Sequence, residues 1–508
     1  MDAHPGYSSL LALILSRASG SGSHVYLEDA RSERTITYAE FGRAVSSWRE
    51  LFESRDLSPG APIIVAVKDP LGFAVVHLAA VASGRRSVPI NPELPDGEPA
   101  RSSALIGEAA LVVLSEEDRD RGRGLPVATV DPRSFEPASV PEPAAPRPHE
   151  HGAEGGVDRE FGEGAAVLFT SGSTGTPKGV ELRESQLLLV ASAIARNNAL
   201  TSADRGFNSL PLFHINAEVV ALLATLVAGA TLVLDASFHR TGFWELLAER
   251  RITWLNAVPA ILAVLTRGGE PLPKTGLRFI RSASAPLPDA VRTALGDIPL
   301  VTSWGMTEGA SQITATPIGD TTHVGSVGLP LGSEVRVRDL DGRTLPAGEV
   351  GALWIRGDGV VRRYLFDSHG ERFDGEGWLS TGDLGRIDED GFVYLVGRSD
   401  DVINRGGEKV YPAELEEILL GDPRVLEAVV VARADEVLGF VPVAYVIRAL
   451  DSGTDHDELV RDLVARCAVE LPRFKRPVEI SVVPDLPRAP TGKVQRSKVR
   501  ELAASGAL

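Results

Sequence analysis

The run Leu168–Val180 reads LFTSGSTGTPKGV, and its residue types suit the holding of a large anion. Gly172, Gly175 and Gly179 free the backbone to take positive φ and to approach bulky oxygens closely. Thr170, Ser171, Ser173, Thr174 and Thr176 supply hydroxyl donors, and Lys178 supplies a positive charge. Backbone N–H groups and hydroxyls in such a loop form a nest for phosphate oxygens. This is not the Gly-Lys-Ser/Thr loop that opens a helix, because Lys178 follows Pro177. A flexible Gly/Ser linker fits less well, since the apolar Ala165–Phe169 ahead of the loop reads as a buried strand. Two later runs also set a charge after a glycine turn: Ser380-Thr381-Gly382-Asp383 and Thr491-Gly492-Lys493. Taken singly, the first would be an ordinary turn and the second a surface lysine.

Positioning these groups calls for a rigid frame. Between Gly164 and Gly305 the pattern predicts strands at Ala165–Phe169, Thr231–Leu234, Thr253–Val258, Arg278–Arg281 and Leu300–Ser303. Helices are predicted at Glu184–Asn198, Ala217–Ala228 and Thr241–Arg250, and an earlier unit at Pro62–Val67 and Leu71–Ser83 has the same look. Such alternation argues for an α/β fold, with mostly parallel sheets covered by helices. The stretch Pro137–Gly156 lacks periodicity and reads as an exposed loop. Residues 325–396 turn to β-type segments (Glu334–Arg338, Ala352–Arg356, Phe392–Val396) between glycine-rich turns, as in a small distorted barrel. From Asp401 onward the pattern is a compact α+β unit: helix Pro412–Leu420, strands Val425–Ala432 and Val441–Ile447, helix His456–Leu471, strand Val478–Val483.

With 508 residues, two or more domains are expected. A single cysteine, Cys467, excludes an internal disulfide framework and a cysteine-based zinc site. The net charge of −17 argues against nucleic acid as a partner. The apolar Leu10–Leu15 has no Lys or Arg before it, unlike a signal peptide. The longest apolar stretch, Val219–Leu234, is too short to span a bilayer and is broken by Gly229, so a cytoplasmic protein is expected. Arg473–Leu508 carries eight basic residues against three acidic ones, a local surface suited to polyanionic ligands.

The loop does not stand alone. In order along the chain come Leu210–His214 (LPLFH), Ser282–Leu287 (SASAPL), Trp304–Glu308 (WGMTE), Ser380–Asp383 (STGD), Gly397–Asp401 (GRSDD), Asn404–Glu408 (NRGGE) and Pro490–Arg496 (PTGKVQR). Together these resemble the adenylate-forming superfamily of acyl-CoA synthetases, peptide-synthetase adenylation domains and luciferases, most closely the acyl-CoA synthetases. The resemblance implies a large domain over 1–399 and a small, mobile C-terminal lid over 400–508, hinged at Asp400. It implies ATP, CoA and a carboxylic acid as substrates, with Mg²⁺ as cofactor.

It also implies roles. Thr170, Ser171, Gly172, Ser173, Thr174, Gly175 and Lys178 would hold the β- and γ-phosphates. Thr307 would contact the α-phosphate, and Glu308 would ligate Mg²⁺, which suits carboxylate and phosphate oxygens. Trp304 would stack on adenine where Tyr is usual, although a Trp after a strand is also a natural core residue. Ser284, Gly305 and Met306 complete the nucleotide surroundings, and Asp383 with Arg398 would hold the ribose. Lys493 is the implied catalytic lysine, reaching the α-phosphate and the substrate carboxylate. After the lid turns, Arg405, Gly406, Gly407 and Glu408 would line the way for CoA. His214, ending what reads as an apolar Leu-Pro-Leu-Phe strand, would be a positioning group beside the acyl pocket and the thiol channel.

Departures from the family pattern are Trp304, Ala283 where Gly is frequent, and Arg363 where Gly is common. Amino-acid-activating relatives keep an Asp near the position of His214, and Phe213–Asn216 has none. No obvious insertion of the kind found in ligases that ignore CoA lies between Glu308 and Ser380. The expected acyl lining is Ile215, Asn216, Ala217, Ser284, Ala285, Met306 and Ala310, apolar or neutral throughout. An acid with an apolar tail therefore fits best: fatty, aryl or of natural-product type. If malonate or acetate were the best substrate, a charged residue not identified from the pattern, Arg281 being one candidate, would have to reach the site. The alternatives are an enzyme that loads a carrier-protein phosphopantetheine and, less favoured, a non-catalytic nucleotide-binding protein.

Overall fold

Short apolar runs become the parallel strands of two large sheets, with helices packed between and outside them. The computed structural model describes residues 7–94, 97–139, 163–170, 178–267, 272–273, 275–365, 372–449, 455–488 and 494–505. The first sheet has nine strands in the order Leu329–Pro330, Thr314–Ala315, Leu300–Trp304, Phe279–Ser282, Trp254–Ala257, Arg205–Asn208, Thr231–Leu234, Val25–Asp29 and Thr35–Thr37. Its six central strands, from Leu300–Trp304 to Val25–Asp29, run parallel. The second has seven: Pro137–Ser139, Val127–Val130, Leu111–Ser115, Pro62–Ala66, Arg86–Pro89, Ala165–Thr170 and Lys178–Arg183.

The layer between the sheets explains the most apolar helix. Every residue of Leu71–Ala82 is buried, because both sheets and neighbouring helices surround it. One core unites side chains of both sheets with those of helices Tyr38–Ser54, Pro70–Ala82 and Glu184–Asn197. Each large apolar side chain so buried contributes about 1.5–3 kcal/mol. Within this layer His77 lies 2.9 Å from Glu218 and 2.7 Å from the Ser87 hydroxyl, tying the helix to a strand of one sheet and to a segment next to the other.

Four of the expected segments carry corrections. Residues Leu210–Phe213 are turn rather than strand: the strand ends at Asn208, whose side-chain amide donates to the Leu210 carbonyl, and Pro211 has no N–H to continue a ladder. The predicted helix Ala217–Ala228 is a π-helix over Asn216–Leu223 that continues as α-helix over Ala224–Ala228. Wide turns of this kind occur often at functional sites. Pro137–Ser139 is an edge strand paired with Val127–Val130, with proline at its first position, where no ladder bond is lost. The remainder of that expected loop lies outside the described residues. In place of a barrel, Glu334–Arg338, Gly351–Arg356, Leu379–Ile387 and Val393–Arg398 form a four-stranded antiparallel sheet, joined by a bridge from Val393 to Gly328.

After Asp400 the strands form a sheet of their own, Glu408–Val410, Ile403–Arg405, Gly439–Arg448 and Val425–Asp435, with Glu479–Val482 added beside Gly439–Arg448. Helices Pro412–Leu420 and His456–Glu470 cover it around a separate core that includes Leu415, Val430, Leu459 and Cys467.

Candidate active site

Several parallel strands of the nine-stranded sheet end at one place, the edge where open α/β sheets bind ligands. After strand Leu300–Trp304 the chain turns through Gly305, and residues 310–311 fold back over that turn. Ala310 and Ser311 both hold positive φ, 50° and 86°, and the Ser311 N–H donates to the Met306 carbonyl at 3.1 Å. A Cβ on residue 305 would lie 1.5 Å from the Ser311 carbonyl oxygen, so the turn requires glycine. Met306 and Thr307 stay half-buried, and Glu308 is buried in the short 3₁₀ turn Thr307–Gly309.

Glu308 is the centre of a charged cluster. Its Oε1 accepts from the Tyr364 hydroxyl at 2.8 Å and lies 3.5 Å from Arg372 Nη1. Arg372 also donates to the Tyr364 oxygen at 3.0 Å and to the Ser380 carbonyl at 2.6 Å. The strap carrying Tyr364 is pinned at both ends: Val361 N–H donates to the Glu308 carbonyl and Leu365 N–H to that of Gly179, each at 2.9 Å. On its ring, Lys178 Nζ sits 5.3 Å from the centroid. Burial, with Arg372 nearby, holds the Lys178 ammonium below its usual value, while Glu308 and Asp400 pull it the other way. Burial, then the charge of Glu308, raises the Tyr364 hydroxyl. Thr170, the last residue of strand Ala165–Thr170, pairs with Lys178, the first residue of strand Lys178–Arg183. Ser171, Gly172, Ser173, Thr174 and Gly175, between them, lie outside the described residues.

Among the described residues no group of three or more His, Cys, Asp or Glu side chains could hold a metal ion. A single carboxylate fits Mg²⁺, which shares itself between one or two carboxylates, phosphate oxygens and water.

A second cluster fixes Asp383. Its Oδ2 accepts from Trp304 Nε1 at 2.9 Å and its Oδ1 from Arg398 at 3.1 Å, while its N–H donates to the Thr381 hydroxyl at 3.0 Å. Asp383 and Arg398 are direct partners across adjacent strands. Trp304 is 6% exposed and packs with Ile313, Val327 and Leu353, so the indole both fills the core and orients the carboxylate.

The cluster around Asn216, expected on the acyl side, has a different chemistry. Asn208, Asn256 and Arg281 occupy matched positions on three neighbouring parallel strands. Arg281 Nη1 donates to Asn256 Oδ1 at 3.1 Å and to Asn216 Oδ1 at 2.7 Å; Asn256 Nδ2 donates to Asn208 Oδ1 at 2.9 Å. Arg281 is 1% exposed, and its Nε is buried without a hydrogen-bond partner. Burial pushes its guanidinium down to about 9, still charged at neutral pH. Asn216 is half-buried and turns its amide nitrogen to the exposed Ser284 hydroxyl, 3.4 Å away. Ser284 has φ 78°, a strained position for a non-glycine residue and common at functional sites. Ala285 beside it is exposed, and His214, half-buried with its ring against Phe213, leads into the π-helix.

Asp400 sits in the 3₁₀ turn Ser399–Asp401, and its charge is felt at Lys178. In the hairpin beyond it, Gly406 and Gly407 hold φ 60° and 93°, and the Gly407 N–H donates to Asn404 Oδ1 at 3.0 Å. Arg405 donates to the carbonyls of Phe474 at 2.8 Å and Arg476 at 3.0 Å, so its guanidinium anchors the hairpin, whereas Glu408 is exposed. Lys493 lies outside the described residues. Around it, Arg488 and Val494 bridge each other, and Arg496 is clamped on both oxygens of Glu416 at 2.6 Å.

Sequence reading missed Tyr364, Arg372, Asn208 and Asn256. Nothing in the local sequence marks Arg372. Asn208 and Asn256 each stand at or next to the end of an apolar strand, which is a signal once the strands are known to be parallel.

Lys178 beside Tyr364, Glu308 beside Arg372 and Asp383 beside Arg398 are thus gathered near the end of strand Leu300–Trp304, and the comparisons define the class, an adenylate-forming ligase. Residues 16–365 match the AMP-binding enzyme family and residues 414–493 the AMP-binding enzyme C-terminal domain, and the chain belongs to that family. A sulfoacetate–CoA ligase of Cupriavidus necator is 35% identical over 97% of each chain. A long-chain-fatty-acid–CoA ligase of Mycobacterium tuberculosis is 29% identical, covering 94% of each. The solved o-succinylbenzoate coenzyme A synthetase of Bacillus subtilis, in complex with ATP and a magnesium ion, superposes with a TM-score of 0.79–0.80 across its forms. It is 26% identical, with 96% of this chain and 98% of that chain covered in the ATP complex. The protein is an AMP-forming acid–thiol ligase of the acyl-CoA synthetase kind.

Proposed function

We propose that this ligase makes an acyl-adenylate and then a CoA thioester in one cleft, with the roles below for its residues. In the first step a carboxylate oxygen bonds to the α-phosphorus of ATP and the bond to pyrophosphate breaks. Catalysis of such a transfer is mostly positioning and electrostatic stabilisation. Lys178 and the loop from Thr170 hold the departing phosphates, Thr307 the α-phosphate, and Asp383, set by Trp304 and Arg398, the ribose. Mg²⁺ held at Glu308 would neutralise charge developing on the phosphate oxygens. Tyr364 and Arg372 keep the Glu308 carboxylate in place. Lys493 enters with the lid, residues 400–508, and bridges the carboxylate and the α-phosphate.

In the second step the lid turns at Asp400 and the hairpin Arg405–Glu408 takes the place of Lys493. The thiol sulfur of CoA then bonds to the acyl carbon, AMP leaves, and the thiol proton is lost. The side-chain-free Gly406 and Gly407 leave room for pantetheine. We place the reaction in the cytoplasm, where ATP and CoA are plentiful; among the described residues no helix is long and apolar enough to cross a membrane.

The observation that carries this reading is the convergence of Lys178, Glu308 and Arg372 around the Tyr364 strap. Its test is an incubation with ATP, Mg²⁺ and a panel of acids, read as pyrophosphate release, followed by CoA or a holo-carrier protein. Pyrophosphate release followed by thioester on CoA is expected. Thioester on the carrier alone would overturn the acceptor, and no pyrophosphate with any acid would overturn the ligase role.

For the acid, the apolar tail expected from the sequence rests on Ile215, Ala217, Met306 and Ala310, of which Ala217 and Ala310 are fully buried in the core. One observation favours a second reading: a buried cation, Arg281, stands behind Asn216 on the same wall. Sulfoacetate, the acid named for the Cupriavidus necator relative, therefore belongs in the panel beside fatty and aryl acids.

A further inference from the structure

Buried charges in proteins are normally paired, because removing an ion from water costs several kcal/mol that only a partner or full hydrogen bonding offsets. Arg281 has neither: among the described residues no carboxylate lies within ion-pair distance, and the groups that receive its protons are two neutral amides. Guanidinium only donates, so it forces Asn216 and Asn256 to turn their carbonyl oxygens inward. The Asn216 N–H₂ is thereby turned outward, to Ser284 at the exposed side of the wall. Arg281 thus leaves a donor at the surface of the cleft with a desolvated positive charge behind it. Such a wall attracts an anion, since a charge acts strongly where the surroundings are poorly polarisable. For a methylene chain it offers nothing in return for covering the Asn216 amide.

We infer that this wall selects an acid bearing a second negatively charged group besides the carboxylate that is adenylated, with Asn216 donating to that group and Arg281 acting as the positioning residue. The inference rests on the ligase reading above and deepens it to a substrate class: carboxylic acids with a second carboxylate or a sulfonate. A unit charge about 7 Å from the guanidinium at an effective dielectric of about 20 corresponds to roughly 50-fold in kcat/KM.

The experiment measures pyrophosphate release with malonate against propionate and succinate against butyrate, four acids paired by shape. Wild type is expected to favour the dianion of at least one pair by on the order of 10- to 100-fold. In Arg281→Gln that preference should collapse, mainly through KM for the dianion, whereas Arg281→Lys should retain part of it. Because a change at a buried site can disturb folding, Asn216→Asp gives a second reading at the cleft surface. Its carboxylate would pair with Arg281 and repel the second anion, so kcat/KM for the dianions should fall much further than for the neutral-tailed acids. A wild-type preference for propionate and butyrate, or a preference unchanged in both Arg281→Gln and Asn216→Asp, overturns the inference while the ligase reading stands. Absence of pyrophosphate with every acid overturns both.

Discussion

The proposed nucleotide half of the cleft and its proposed acyl wall both bury charge, but only one of them balances it. In the first, Glu308 faces Arg372, Asp383 faces Arg398, and Lys178 lies among the cation Arg372 and the acids Glu308 and Asp400. On the second, Arg281 meets only amides among the described residues. A balanced network serves a ligand that is the same in every turnover, because its shape and charge can be built in advance. An unbalanced cation leaves the charge to be completed by whatever enters, so it discriminates between ligands. The two halves should therefore fail differently when mutated: the first in rate for every acid, the second in the choice of acid.

The largest expected effect belongs to the nucleotide half. Lys493→Ala is expected to lower acyl-adenylate formation by on the order of 10³, the value of a unit charge at ~4 Å and an effective dielectric of ~20. Thioester formation from a supplied acyl-adenylate should persist. Asp400→Pro, with φ fixed near −65°, should reverse the pattern: pyrophosphate is released but thioester fails. Half-reaction assays of the two variants check this, and equal loss of both half-reactions in each would remove the lid from the scheme.

Much of this proposed half is legible in the sequence, because phosphate loops, glycine turns and Thr-Gly-Asp runs are local and the residues proposed to act lie inside them. The frame was legible for a similar reason: Thr231–Leu234, Glu334–Arg338 and Pro412–Leu420 fall where their patterns put them. Helix Tyr38–Ser54 went unread, although its capping box is explicit, Thr37 Oγ1 accepting from the Glu40 N–H at 3.2 Å and Glu40 from the Thr37 N–H at 2.8 Å. Tyr364 and Arg372 were not legible, since what joins them to Glu308 is contact across more than fifty residues of chain. The acyl wall was hidden for the same reason. Asn208, Asn256 and Arg281 become one feature only through the register of three parallel strands.

A smaller effect is expected at Tyr364. Tyr364→Phe removes the hydroxyl that bonds Glu308 but keeps the ring under Lys178, so a loss of about 10- to 150-fold in adenylation is expected, the value of one hydrogen bond to a charged group. The loss should be equal for all acids and partly relieved by higher Mg²⁺, as initial rates across a Mg²⁺ titration would show. Acid-dependent losses would mean that the two halves are not separable.

The smallest effect sharpens the comparison with a third buried charge. Glu184 is buried, accepts from the Leu10 N–H, and has no cation within ion-pair distance among the described residues; burial raises its carboxyl to about 7. An acid in this position can neutralise itself near neutral pH, an option not open to Arg281. Its folded-state value is raised above the unfolded 4.5, so its contribution is fully present below about pH 4.5 and is lost as pH rises through 7. Glu184→Gln should therefore match wild type near pH 4.5 and exceed it above pH 7, by on the order of 1–3 kcal/mol. Thermal melts at the two pH values check the sign.

The most direct measurement is the ratio of kcat/KM for malonate to that for propionate, taken in wild type, Arg372→Ala and Arg281→Gln. The two arginines differ in their partners, a carboxylate for one and amides for the other. Arg372→Ala is expected to lower both acids together, by roughly 10- to 100-fold, and to leave the ratio where it was. Arg281→Gln is expected to bring the ratio down towards one. A ratio that moves with Arg372 and holds without Arg281 would contradict the division of the cleft into a balanced half that drives the reaction and an unbalanced wall that chooses the acid.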